Sequence, residues 1–294
     1  MEIESHLNQN GINNMSNKEQ EYSKTTFNEV ANKYDEIEFF KISAKYVVKL
    51  IKDKKEDKEL DILDVACGTG NVVLECALEM PNSSFDAVDI SEGMIIKAKS
   101  NVKEKGINNI DFKVQDITSK ESKENTKRYD VVTCSYALFF LPEPAEILKV
   151  LASLLKEDGI VIFTSFTKDA FMPSSDILMN LLKKYGSSIA KEYDKNKWEN
   201  LKSIKDIEYL CSLTNIKNID IKSKDIRYDM SIDKWWELFD NTGFKGMLMQ
   251  LSTEDYNKLK DEFFDEMNVK LKNNENIELN ADSYFVMIDK ILLF

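Results

Sequence analysis

Three acidic residues stand where short apolar runs stop: Asp64 in "DILDVACGTG", Asp89 at the end of "SFDAVD" and Asp116 at the end of "IDFKVQD". Between the first two lie Gly68 and Gly70, one residue apart in a chain with only 9 glycines among 294 residues. Without a Cβ, such a turn can take positive φ and let a ligand come close to the backbone. A helix beginning at about Gly70 adds free N–H groups and a positive dipole end that attract an anionic group. A carboxylate about 20 residues beyond the turn, as Asp89 is, suits a ribose diol. The dinucleotide fingerprint G-x-G-x-x-G is not met, and Asp64 ahead of the turn would repel a pyrophosphate but could pair with an ammonium. The plainer readings are a tight strand-to-helix turn for the glycines and a helix or loop cap for each acid.

Other chemistries are poorly supplied. The single histidine, His6, lies far from every motif, which argues against His-based triads, zinc hydrolysis and iron facial triads. Cys67, Cys76, Cys134 and Cys211 lack metal-ligand spacing, so no metal is expected, and with no export signal they read as reduced cytosolic thiols. A net charge of −12 with no basic stripe speaks against nucleic acid as a partner. No apolar run approaches the roughly 20 residues of a membrane helix.

The elements that must position these groups alternate. Strands are expected at 61–66, 84–90, 110–117, 129–137 and 160–166, separated by helical segments at 71–80, 91–105 and 145–159, with a polar stretch at 118–128. Most of the strands are continuously apolar, as when both faces of a sheet are covered. The fold class is therefore α/β: a Rossmann-like, doubly wound, mostly parallel sheet with right-handed crossovers. Ahead of it, residues 22–52 carry a helical pattern. Beyond 166 come helical stretches over 174–214, a strand-like 219–230, helices at 231–241 and 253–271, and a terminal strand over 283–294. The expected organisation is a loosely ordered arm (1–21), a leader helix acting as a lid (22–60), an α/β domain (61–228 and 276–294), and a helical insertion (229–275) over the acceptor site.

In these motifs and their order the chain resembles class I S-adenosylmethionine-dependent methyltransferases. "LDVACGTGNV" looks like their glycine-rich first motif, "VDISEGMI" the second, "VQDI" the third and "YDVVTCSYALFFLPEP" the fourth. The leader "FNEVANKYDEI" is similar to that of the ubiquinone/menaquinone-biosynthesis and the malonyl-carrier O-methyltransferases. The resemblance implies a seven-stranded sheet with its last strand antiparallel, S-adenosylmethionine as cofactor and S-adenosylhomocysteine as product. It places Asp64 by the ammonium. Ala66, Cys67, Gly68 and Gly70 would line the methionine and ribose, and Asp89 would take the ribose hydroxyls. Ile90 and Met94 would pack on adenine, Asp116 and Ile117 would lie at its edge, and Cys134 and Ser135 under the sulfonium. Tyr34 would lie near the methionine moiety. The family's frequent glycine at position 66 is alanine here.

A sulfonium methyl group is already activated, so transfer needs positioning and exclusion of water rather than an imidazole. No catalytic residue is singled out. The acceptor is expected to be a small, apolar or aromatic molecule, with Tyr22, Phe27, Tyr136, Phe139, Trp235 and Trp236 as candidates for its pocket. Trp235 and Trp236 could equally anchor the insertion to the sheet, and Phe27 and Tyr34 could form a plain apolar helix face. Ser135-Tyr136-Ala137-Leu138 lacks the Asn/Asp-Pro-Pro-aromatic run of nucleic-acid amino-methyltransferases. Two other classes stay open at this point: a cofactor-binding sensor or partner protein without transferase activity, and an NAD-dependent oxidoreductase.

Overall fold

The computed structural model describes residues 21–56, 58–124, 126–193, 197–214, 216, 218–271 and 276–289. Residues 1–20 of the expected arm, His6 among them, and the last residues of the terminal strand lie outside them, while Glu21 opens the first helix. The chain begins with helix α1 (21–30), a 3-10 turn (Tyr34–Glu36) and α2 (Glu38–Lys55). Then β1 (Asp61–Val65), α3 (Asn71–Glu79), β2 (Ser84–Asp89), α4 (Glu92–Glu104), β3 (Ile110–Val114), α5 (Lys120–Lys123), β4 (Tyr129–Ser135), α6 (Pro144–Ser153) and β5 (Leu155–Phe166) follow in strict alternation. The second half comprises α7 (Ser174–Lys184), α8 (Ser188–Glu192), α9 (Ile204–Ser212), β6 (Ile219–Lys224) and β7 (Arg227–Met230). It continues through α10 (Ile232–Asp240), α11 (Lys245–Leu248), α12 (Thr253–Leu271), β8 (Ile277–Asn280) and β9 (Ser283–Asp289).

Seven strands form one sheet in the order β3-β2-β1-β4-β5-β9-β6. All are parallel except β9, which runs antiparallel to both β5 and β6. Strand order reverses between β1 and β4, and the carboxyl ends on either side of that point bear the GxG turn and the Ser135–Leu141 segment. Helix ends obey local rules: Ser91 caps α4 by accepting the Met94 N–H at 3.1 Å, Gly106 beyond its C-terminus has φ +69, and Pro144 opens α6.

Several expectations shift. The leader is two helices rather than one. α2 buries Ala44, Val47, Val48 and Ile51 in the same cluster as β1 and α3, so it is a layer of the sandwich, and only residues 21–36 reach the segments that follow β1 and β2. β5 starts at Leu155, inside the stretch read as helix, because Leu155 pairs with Tyr129 before the register jumps to Val131↔Ile160 at a bulge. The strand-like 219–230 divides: β6 joins the main sheet, whereas β7 pairs with β8 as a separate antiparallel ribbon. That ribbon closes the base of the helical insertion, and Asp282 pins it by accepting the Ile226 N–H at 2.9 Å and the Arg227 side chain.

Candidate active site

At the carboxyl ends of β1, β2, β3 and β4 lies a crevice of about 780 Å³, counted out to its open mouth. Ala66 and Gly68 line it, with Asp89, Ile90 and Met94 after β2, Asp116 and Ile117 after β3, and Ser135 and Tyr136 after β4. Phe27 and Tyr34 reach it from the leader. The backbone of the first turn is left-handed at three alternate residues, Ala66 (φ +51), Gly68 (φ +56) and Gly70 (φ +85). Gly68 leaves the crevice floor open, since a Cβ there would meet nothing nearer than Tyr34 at 4.0 Å. Gly70 faces the other way, toward Ala98, Val73 and Phe112, where a Cβ would make ordinary contacts, so its φ of +85 rather than lack of room is what favours glycine there. Ala66 carries the cost of a side chain in the left-handed region, about 1 kcal/mol.

The acids are set by backbone donors. Asp89 accepts the Gly68 N–H and the Ser91 N–H, both at 2.8 Å, one on each oxygen. Burial pushes its carboxyl up, while the Ser91, Gly68 and Ile90 N–H groups pull it back. Each oxygen keeps a second lone pair for a further donor. Asp116 accepts the Thr118 N–H and hydroxyl at 2.8 Å, the loop cap that was its plainer reading, yet it also faces the crevice. Asp64 does not line the crevice. It is 1% exposed behind the turn, and Oδ1 accepts the Thr133 hydroxyl at 2.7 Å. Its Oδ2 is buried with no partner. Burial raises the carboxyl to about 7, against the Thr133 hydrogen bond and the pull of the Val73 N–H, which does not complete a hydrogen bond to Oδ2, and with a smaller push from Asp89. Cys67 and Cys134 are buried behind the lining, and burial pushes both thiols well up. Ser135 Oγ, on the crevice wall, is also buried without a partner.

The acceptor-side candidates divide. Tyr136 lines the crevice in a strained φ of +52. Its hydroxyl is shared between Ser43 and Ser283, 2.8 Å from the latter, and burial pushes it up to about 12, which makes it a poor base. Phe27 meets Phe140 edge-on at 5.8 Å across the mouth. Phe139, also expected in the pocket, does not line the crevice; its ring packs on Phe140 at 4.7 Å and on Phe166 at 6.1 Å. Tyr22 faces Gly246 of the insertion rather than the crevice. Trp235 and Trp236 do not line the crevice; they are buried within the insertion among Phe239, Tyr256 and Phe263, and Trp235 Nε1 donates to the Ile277 carbonyl of β8 rather than reaching the main sheet. Sequence reasoning missed Ser23, Val88, Gln115, Ala137, Phe140 and Leu141. Gln115 could have been found from its place beside Asp116 at a strand end, whereas Ser23 is brought in by the leader's fold-back alone. Among the described residues no group of His, Cys, Asp or Glu could hold a metal, and no helix is long and apolar enough to cross a membrane.

A family model described as "Methyltransferase domain" matches residues 56–243. The malonyl-[acyl-carrier protein] O-methyltransferase of Halalkalibacterium halodurans is 32% identical over 165 residues, 54% of this chain and 60% of its own length. The ubiquinone biosynthesis O-methyltransferase of Actinobacillus pleuropneumoniae is 26% identical over 60% of this chain and 72% of its own length. The chain thus spans somewhat over half the length of the first of these curated relatives. Among solved structures, the YcgJ protein of Bacillus subtilis superposes with a TM-score of 0.54 at 18% identity, over 83% of this chain and 98% of its own. The plantazolicin methyltransferase BpumL, solved with S-adenosylhomocysteine, gives 0.53 at 16%, over 96% and 99%. At these identities the superpositions speak for the fold; the family match covers well over half of the sequence, and the chain belongs to the methyltransferase domain family.

Proposed function

We propose that the protein is an S-adenosylmethionine-dependent methyltransferase acting on a small, apolar or aromatic acceptor. The observation that carries this reading is that one crevice joins the left-handed glycine turn, Asp89 and Asp116, with the orphaned Asp64 Oδ2 buried directly behind the turn. These residues fit the cofactor in kind. A buried carboxylate oxygen with no donor suits an ammonium, through water or backbone, and Asp89 has free lone pairs for ribose hydroxyls. Ile90, Met94 and Ile117 offer apolar surface for adenine, and Asp116 an acceptor at its edge.

When bound, the cofactor supplies a methyl group already activated on a sulfonium. The chain's own part is to bind, orient and exclude water. Tyr34, Phe27 and Phe140 close over the crevice. Tyr34 has its hydroxyl pushed up by burial and by Asp89, so it and Tyr136 serve as walls rather than bases. The acceptor end, bounded by Phe27, Tyr136, Ala137, Phe140 and Leu141, is apolar. Residues 21–36 act as the lid, backed by the insertion, whose Gly246 lies against Tyr22 and Gly243 against Phe140. All four cysteines are free and buried, which suits a reducing compartment such as the cytosol.

Calorimetry with S-adenosylhomocysteine against NAD tests the cofactor, and transfer of labelled methyl groups to a metabolite extract, read by mass spectrometry, tests the activity. Binding of NAD in place of S-adenosylhomocysteine would overturn the reading. Binding without transfer to any component would favour a sensor.

A further inference from the structure

Two aromatic residues of the leader, Phe27 and Tyr34, face the crevice, and each is followed by a polar residue that does something else. Asn28, next to Phe27, reaches the start of α4: its Oδ1 accepts the Gly93 N–H at 2.9 Å and the Ser91 hydroxyl at 2.7 Å. Ser91 in turn gives its N–H to Asp89. Asp35, next to Tyr34, reaches the glycine turn: it accepts the Thr69 hydroxyl and, at 2.8 Å, the side-chain amide of Asn101, with Lys97 Nζ at 3.7 Å. Asn101 also donates to the Thr69 carbonyl at 3.1 Å.

The first contact also explains a glycine. Gly93 sits in the first turn of a regular helix, where alanine would be favoured by about 1 kcal/mol. A Cβ there would lie 3.2 Å from the Cα, O and Oδ1 of Asn28, so the glycine is the notch into which the leader docks. On the leader's other side Tyr22 and Thr26 press on Gly246 of α11. The leader, helix α1 and the 3-10 turn after it, therefore bridges the two cofactor motifs and the insertion.

We propose that Asn28 and Asp35 are positioning residues, a two-point clasp that holds Phe27 and Tyr34 over the bound cofactor and sets how long it stays. This rests on the crevice being the S-adenosylmethionine site. Because the clasp partners sit beside Asp89 and within the glycine turn, the leader must release both points before the ligand can leave. The clasp therefore acts on departure more than on arrival.

The test measures dissociation of S-adenosylhomocysteine by stopped-flow displacement, with trypsin cleavage after Lys33, exposed in the turn after α1, as an independent report of leader opening. Asn28→Ala and Asp35→Ala should each speed dissociation by about fivefold or more with little change in association. Both should also remove most of the protection of Lys33 that the ligand confers on the native protein. Asn28→Asp keeps the acceptor and adds a charge favourable at a helix N-terminus, so it should stay within about twofold of the native rate. A merely structural role predicts the opposite order, since alanine is the better helix former and aspartate the poorer. Native dissociation rates in Asn28→Ala and Asp35→Ala, or an Asn28→Asp rate as fast as that of Asn28→Ala, overturn the clasp alone. Failure of the native protein to bind S-adenosylhomocysteine overturns both the clasp and the cofactor assignment.

Discussion

Asp64→Asn should make the protein more stable at neutral pH and a worse binder, two effects of opposite sign from one buried oxygen. The native carboxyl is 1% exposed and raised to about 7 by burial, against about 3.9 in an unfolded chain. A raised carboxyl means that the folded state holds its proton more tightly than the unfolded chain does. Its contribution to stability is complete below the unfolded value and is lost as pH climbs from about 4 to about 7. Three units at 1.36 kcal/mol each amount to about 4 kcal/mol lost by pH 8. Asparagine does not titrate, can still accept the Thr133 hydroxyl through Oδ1, and so escapes that loss. Its Nδ2 would replace Oδ2, however, presenting a donor where an ammonium wants an acceptor. If only the ionised carboxylate pairs with the ligand, the dissociation constant scales as 1 + 10^(pKa − pH), and native affinity should rise roughly eightfold from pH 6 to 7.5 for a group titrating at about 7. Calorimetry with S-adenosylhomocysteine at pH 6, 6.75 and 7.5, beside urea melts at the same values, reads both effects. A native affinity flat across this window, or an Asp64→Asn protein that keeps the native pH dependence, would refute the pairing of Asp64 with the ligand's ammonium.

Asp89→Ala removes the acceptor for the Gly68 and Ser91 N–H groups together with the proposed ribose contact. Calorimetry on the folded fraction should show S-adenosylhomocysteine binding weakened at least tenfold, about 1.4 kcal/mol, and a thermal melt should fall with it. Gly246→Ala places a methyl group against the Tyr22 hydroxyl and Thr26 Oγ1, an overpacking cost of about 1–3 kcal/mol. Tyr22→Ala in the same chain should recover most of that loss in denaturant midpoint, and no recovery would mean that the leader does not dock there. Trp236→Ala empties part of the insertion's core and should cost about 3–5 kcal/mol while leaving S-adenosylhomocysteine affinity in the folded protein unchanged. A lowered affinity would return Trp236 to the binding site.

The alternation of apolar runs with amphipathic helices from 61 to 166, the acids closing three successive strands, and the glycine pair after the first strand were all legible in the sequence. Each depends on neighbours within a few residues: strand burial on a local apolar run, helix ends on Ser91, Gly106 and Pro144, and the turn on backbone that only left-handed residues complete. The seven-stranded sheet with one antiparallel strand followed from the family's motifs rather than from periodicity. Contacts between distant segments were not legible. Phe140 rather than Phe139 lines the crevice, in a 3-10 turn to which a strand's two-residue alternation does not apply. The tryptophans turn into the insertion, where α12 supplies the rings against Trp236 and Phe239 the one against Trp235. Strand β7 leaves the main sheet because its partner, β8, lies some fifty residues on. Gly93 and Gly246 look wasteful in helical sequence until Asn28 and Tyr22 arrive against them. The sequence by itself determined where the chain bends, which faces are apolar and which acids end the strands, since those are set by local sterics and hydrophobic periodicity. Only the tertiary structure decided which side chains share the crevice and what covers it, because those depend on which distant surfaces pack closely enough to exclude water.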